Sequence, residues 1–196
     1  LLAAAGALDT DDMLLMAAAF AGRGAGTCAV GPPNTSIDLR GVVESGTIAA
    51  KLGTSSATLI DDGASCDHDG YLDPGESGLL RITVANTGIL AAEQVTLTAT
   101  TASAGVRIGS AVRIATLQPF SSTELTIPVT LLPTAPRKTR IEINLHVAAD
   151  ETCDPRGIDL ALSELPGADD IPAVSKVDHA ETKLTPAPND DKNKEI

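Results

Sequence analysis

Ser65-Cys66-Asp67-His68-Asp69-Gly70-Tyr71-Leu72-Asp73-Pro74-Gly75-Glu76 places acids at the third, fifth, ninth and twelfth positions of a twelve-residue window, with glycine at the sixth. A hard divalent cation such as calcium takes about six to eight oxygens, and short acids at alternate positions can all turn inward toward it. Gly70 permits the sharp bend, Tyr71 offers its backbone carbonyl, and Glu76 is long enough to bind through both oxygens. Asp67, Asp69, Tyr71, Asp73 and Glu76 are therefore the expected calcium ligands. The window departs twice from a helix–loop–helix sensor. Its first position is Ser65, and the segment after it, Leu79-Leu80-Arg81-Ile82-Thr83-Val84-Ala85, alternates as a strand. Asp61 or Asp62, just upstream, is placed to supply the missing acid. The competing reading is a solvated acidic turn, because Asp, Gly and Pro are the residues turns are made of.

Three cysteines follow a different logic. Cys66 precedes one strand pattern and Cys153 follows the last, and two such ends of a sandwich can meet at one pole. A Cys66–Cys153 disulfide is the expectation, contributing roughly 4–5 kcal/mol on chain-entropy grounds. The alternative is two unpaired thiols, and Cys28 is left to a partner elsewhere. Calcium and a disulfide together imply a secreted, extracellular protein. His68, His146 and His179 share no helical spacing, and His146 falls on the outer face of a strand pattern. The sequence contains no His-Glu-x-x-His, Cys-x-x-Cys or Gly-x-Ser-x-Gly, so it holds neither a zinc motif nor an activated serine.

The elements that must position these residues are legible from periodicity. Asp9-Thr10-Asp11-Asp12 opens a helix with capping side chains and acids at the positive end of its dipole. Met13, Met16, Ala17 and Phe20 form one apolar face, Gly22 ends the helix, and residues 1–8 read as the tail of an earlier one. That face is expected to pack on something beyond this chain. Gly22-Arg23-Gly24-Ala25-Gly26 follows a helix rather than a strand, which makes it a helix exit and not a phosphate loop. Residues 31–56 read as a linker, with Val42-Val43 and Ile48 as a candidate edge strand. From Ala57 the period is two, through Leu80, Ile82 and Val84, then Val95 and Leu97, then Leu125 and Ile127, then Ile141, Ile143 and Leu145. Pro128 lacks an N–H, which assigns its strand to an edge or a bulge. After Cys153 the pattern dissolves into coil. The expected fold is mainly β, an antiparallel Ig-like β-sandwich at 57–153 preceded by a short N-terminal helical segment at 1–30, with 31–56 linking them and 154–196 trailing.

The 196 residues carry a net charge of −12, which disfavours nucleic acid and anionic membranes as partners. Aromatic residues make up 2% and Trp is absent, so the core must be aliphatic. Leu1-Leu2-Ala3-Ala4-Ala5 is far too short to span a membrane. Its lack of an initiating Met leads us to expect a piece of a longer chain, with any signal peptide upstream.

Two stretches carry a resemblance. The run from Asp9 to Gly26, with Phe20-Ala21-Gly22-Arg23-Gly24-Ala25-Gly26 at its end, resembles the last helix of the fungalysin-type secreted zinc metallopeptidases. The acidic segment from Cys66 to Glu76, followed by Ile82-Thr83-Val84-Ala85-Asn86-Thr87-Gly88, is similar to the β-sandwich appended to bacterial members of that family. The resemblance implies a secreted endopeptidase, of which this chain spans the end of the catalytic domain and an accessory sandwich. It implies as partners the upstream catalytic domain of the same chain and a protein substrate, and zinc only in the part not represented here. The runner-up is an adhesion or carbohydrate-binding module of another secreted bacterial protein, which would need a strip of exposed aromatics. Only Phe20, Tyr71 and Phe120 are available for one. Since neither the zinc histidines nor a catalytic glutamate motif is present, the purified chain should release no peptides from casein. Zinc-dependent, chelator-sensitive cleavage absent from a mock purification would refute this.

Overall fold

The computed structural model describes residues 1–38, 40–61, 71–136 and 139–166. Two short helices come first, α1 (Leu2–Gly6) and α2 (Thr10–Ala21). Asp9 caps α2 through its side chain, which accepts from the N–H groups of Asp11 and Asp12 at 2.8 and 3.2 Å. The buried stripe of α2 is Met13, Ala17 and Ala21, an i, i+4, i+8 row, while Phe20 and Leu15 remain exposed. The face therefore lies to one side of the predicted one. Its partner is within the chain, because Met13 and Ala17 pack on Ile89 and Ile48.

Nine strands follow among the described residues: β1 (Leu52–Thr54), β2 (Thr58–Ile60), β3 (Ser77–Asn86), β4 (Ala92–Thr101), β5 (Val106–Ile108), β6 (Val112–Leu117), β7 (Ser122–Leu131), β8 (Ile141–Asp150) and β9 (Ile158–Glu164). They form two antiparallel sheets. One has the order β1-β3-β7-β5 with β2 also on β3, and the other has the order β6-β4-β8-β9. The chain is a mainly β protein with the expected antiparallel sandwich, and the interleaving of the sheets is of immunoglobulin-like kind. Alternation explains the layering. Leu80, Ile82 and Val84 of β3 and Ile127, Val129 and Leu131 of β7 are fully buried, as are Leu97, Ile143, Leu145 and Val147 opposite them. The core is aliphatic, as the composition requires.

Several boundaries differ from the sequence reading. β1 lies inside the stretch read as a linker and β9 inside the stretch read as coil, so the sandwich extends at both ends. Ile158, Leu160 and Leu162 alternate weakly, and of the three only Leu162 is buried, at 9% exposure, which is why the strand is faint in the sequence. Val43 forms a single bridge with Val30 rather than an edge strand. β7 runs between β3 and β5 rather than at an edge. Pro128 is accommodated because β5 stops at Ile108, opposite Val129, and the Gly109 N–H then bonds the Pro128 carbonyl at 2.7 Å.

The strands give the sandwich two distinct poles. β3 and β9 run toward opposite poles, whereas β8 and β3 both end at the pole where β4 begins. At that pole Asn86, 1% exposed, is fully engaged. Its Oδ1 accepts from the N–H of Lys51 and of Gly88, and its Nδ2 donates to the carbonyls of Leu90 and Leu117. Gly88 is pressed against the backbone of Ala49, Ala50 and Lys51, where a Cβ would collide.

This polarity corrects the expected Cys66–Cys153 pairing. Cys153 is bonded to Cys28, with Cα atoms 5.1 Å apart. Thr27 hydrogen-bonds Thr47, and the Cys153 N–H donates to the Ala50 carbonyl at 3.0 Å, so residues 47–50 bring the two cysteines together. Cys153 stands at the Asn86 pole, whereas the residues flanking Cys66's loop, Ile60 and Tyr71 to Glu76, lead into the start of β3 at the other. Cys66 itself lies outside the described residues.

Two predictions follow from this pole. Asn86→Ala should lower the unfolding free energy in urea by about 2–4 kcal/mol, since four backbone groups, two of them in buried bonds, lose their partner. Non-reducing peptide mapping should recover Cys28 linked to Cys153. The double Cys28→Ser, Cys153→Ser chain should be about 2–5 kcal/mol less stable, with no such loss on Cys66→Ser.

Candidate metal site

The acidic loop leaves the sheet after β2 and returns at β3. Ser65, Cys66, Asp67, His68, Asp69 and Gly70 lie outside the described residues, as does Asp62. Of the expected ligands, Tyr71, Asp73 and Glu76 are described. They occupy the returning arm. Leu72 anchors this arm in the core, 5% exposed, which leaves Tyr71 on the surface at 48%.

Local chemistry shapes the end of the arm. Residues 73–76 form a turn in which the Glu76 N–H donates to the Asp73 carbonyl at 3.0 Å. The Glu76 side chain reaches back, as its length allows, and Oε2 accepts from the Asp73 N–H at 3.0 Å. The Gly75 N–H and the Glu76 carbonyl both bond the backbone of Leu131 on β7. Glu76 is thereby held at 4% exposure, one of two buried polar residues among those described. A carboxylate so deeply placed is strongly disfavoured unless donors or a cation compensate its charge. Asp61, on the departing arm, has both carboxylate oxygens buried with no hydrogen-bond partner. Among the described residues no three His, Cys, Asp or Glu side chains are grouped as a metal cage. A cleft of about 270 Å³ beside the arm is lined by Thr58, Leu59, Tyr71, Leu72, Ile141 and Glu164.

Elsewhere, His146 does lie on the outer face of its strand, half-buried. Its Nδ1 meets Asp159 Oδ1 at 2.7 Å across the β8–β9 pair. Asp159 lies in the stretch read as coil, and its acid in an alternating Ile158-Asp159-Leu160 was the available signal. The pair ties two strands together. The hydroxyl opposite it, Thr98 Oγ1, donates to the His146 carbonyl rather than to the ring, so no nucleophile is activated there. His68 and His179 lie outside the described residues.

No family model and no curated protein matches the chain. Solved structures do. The CARDB domain of the PF1109 protein from Pyrococcus furiosus, in complex with di-metal ions, is similar at TM-score 0.40 and 13% identity, over 60% of this chain and 88% of that one. A FixG-related protein from Vibrio parahaemolyticus is similar at TM-score 0.40 and 10% identity, over 59% and 95%. The ASH/PapD-like domain of human CEP192 gives TM-score 0.36 and 10% identity, over 68% and 97%. None of the three is a fungalysin-type peptidase.

Proposed function

We propose that this chain is a non-catalytic, calcium-stabilised accessory β-sandwich of a secreted zinc metalloendopeptidase of fungalysin type, joined to the end of its catalytic domain. The observation that carries the calcium reading is Glu76. It is a buried carboxylate at the twelfth position of the acidic window, turned back toward Asp73 at the ninth. Calcium would be held by Asp67, Asp69, the Tyr71 carbonyl, Asp73 and Glu76, bracing the loop against β3 and β7. The Cys28–Cys153 bond supports an oxidising, extracellular setting. No helix among the described residues is long and apolar enough to cross a membrane.

The peptidase assignment rests on the resemblance of residues 9–26 and of the acidic loop with β3. The exposed Leu8, Leu15 and Phe20 of the helical segment suit an upstream catalytic domain of the same chain as the neighbour. The zinc of that family finds no donor set in this sequence, so no catalytic step is assigned to these residues. Their role is to hold, space or present a protein substrate. A glycan-binding role loses support from geometry. Tyr71 lies at the loop pole, while Phe20 and Phe120 share a cleft with Ile89 at the Asn86 pole, so the three aromatics form no strip.

Calcium at about ten times its dissociation constant should stabilise the chain by roughly 1.4 kcal/mol. Extracellular modules of this kind bind on the order of 10⁻⁴–10⁻³ M. Melting in millimolar calcium should therefore exceed melting in chelator by several degrees, and Glu76→Gln or Asp67→Asn should remove the difference. Identical melting curves, with no calorimetric heat on calcium addition, would sink the reading.

A further inference from the structure

β9 is the outermost strand of its sheet, and among the described residues no strand pairs with its second side. An outward row of backbone N–H and C=O groups is a template for another strand unless the chain blunts it. The other outer strands are blunted. β1, β2 and β5 have three residues each, and β6 adjoins β4 next to the irregularity at Glu93–Thr96. β9 runs for seven residues, Ile158-Asp159-Leu160-Ala161-Leu162-Ser163-Glu164, in unbroken register with β8. It contains no Pro, no Lys and no bulge. The edge also leaves apolar surface incomplete. Leu160 packs on the core yet stays half-buried, and a cleft opens at each end of the strand. One, of about 290 Å³, lies beside Leu52 and Ile158, and the other, of about 270 Å³, beside Leu59 and Glu164.

The strand's own pattern says which partner fits. Laid antiparallel on a second β9 with Ala161 against Ala161, all seven residues pair. Leu160 then opposes Leu162 on the inner face, and Asp159 opposes Ser163 on the outer face. Over Ser163 stands Arg140, whose Nη1 donates to the Ser163 carbonyl and hydroxyl at 3.4 Å. A two-fold axis thus carries the Asp159 carboxylate, 87% exposed, to the guanidinium of the second copy, and does so twice. Asp159 Oδ1 is engaged by His146, and Oδ2 is the oxygen left for that contact. Centring the pair on Asp159 would set like charges face to face, and centring it on Leu160 or Leu162 shortens the ladder.

We propose that two copies of this chain join edge to edge through β9, about a two-fold axis at Ala161, into one continuous eight-stranded sheet. Growth stops at two, because the contact uses the β9 edge of both copies. The inference does not depend on the calcium reading.

The test is the mass of the full chain in solution at physiological salt, read by sedimentation equilibrium. Mass should rise from one chain toward two as concentration goes from about 1 to about 300 μM, and no further. Ala161→Lys, at an exposed position on the axis, sets two ammonium groups against each other. It should weaken the dimer by about ten-fold or more while leaving the melting temperature of the dilute chain unchanged. Asp159→Arg and Arg140→Asp should each weaken the dimer, and the double exchange should restore it, which a role within one chain would not produce. In a Cys66→Ser background, Ala161→Cys should link two copies on oxidation, while Ala115→Cys on the opposite edge of the sheet should not. A single-chain mass over the whole range overturns the inference, as does a dimer that Ala161→Lys leaves intact. A mass that climbs past two chains, or linkage through Ala115→Cys instead, overturns it as well.

Discussion

The Asn86 amide is the constraint on which one whole end of the molecule depends. Its four hydrogen bonds join the end of β3, the segment before β1, the turn into β4 and the end of β6. Each partner is a backbone group, so the amide acts as a fixed cross-piece where the strands themselves provide no ladder. What lies outward from it depends on that arrangement. Ile89, in the turn that Asn86 shapes, is the surface on which Met13 and Ala17 settle. Ala50, one residue from the Lys51 N–H that Asn86 accepts, is the point to which Cys153 is hydrogen-bonded. The helices and the disulfide are thus secondary to one buried side chain.

The opposite end is organised by charge rather than by an amide. Glu76 and Asp61 are carboxylates placed where the strand period calls for aliphatic side chains, at the head of β3 and just past β2. Such positions are costly for a fold unless hydrogen-bond donors or opposite charge compensate them. The two poles therefore differ in kind. One is closed by a disulfide and by side-chain hydrogen bonds to backbone groups, and the other by a turn in which Glu76 accepts from the Asp73 N–H and its carbonyl bonds Leu131.

The sandwich was legible in the sequence because its long strands bury one face each. Leu80-Ile82-Val84 and Ile141-Ile143-Leu145-Val147 alternate without interruption, and both became ten-residue strands. β1 and β9 were missed because edge strands contact the core along part of their length, so alternation fades. The helix start at Asp9 was clear from capping chemistry alone. Its buried stripe was misplaced because an alanine-rich helix has nearly uniform hydropathy, and Ala21 rather than Phe20 turned inward. Of the candidate site, the place of Glu76 at the twelfth position was readable from spacing, whereas the hydrogen bond it accepts from the Asp73 N–H was not. The disulfide was not, because pairing depends on which pole each cysteine occupies. That follows from strand direction, which spacing along the chain does not encode.

The Cys28–Cys153 bond also decides how the protein meets a pull. A force applied to the helices and to the chain beyond β9 passes from Cys28 directly to Cys153, skipping a covalent loop with a sequence separation of 125. β1 through β8 lie within that loop and outside the direct covalent path of the load. The force runs from Cys153 along the backbone of β9 itself, an already extended strand, so it meets little slack before the covalent chain is taut. The core strands and the residues that lead into the acidic loop are in this sense bypassed by a pull on the two ends.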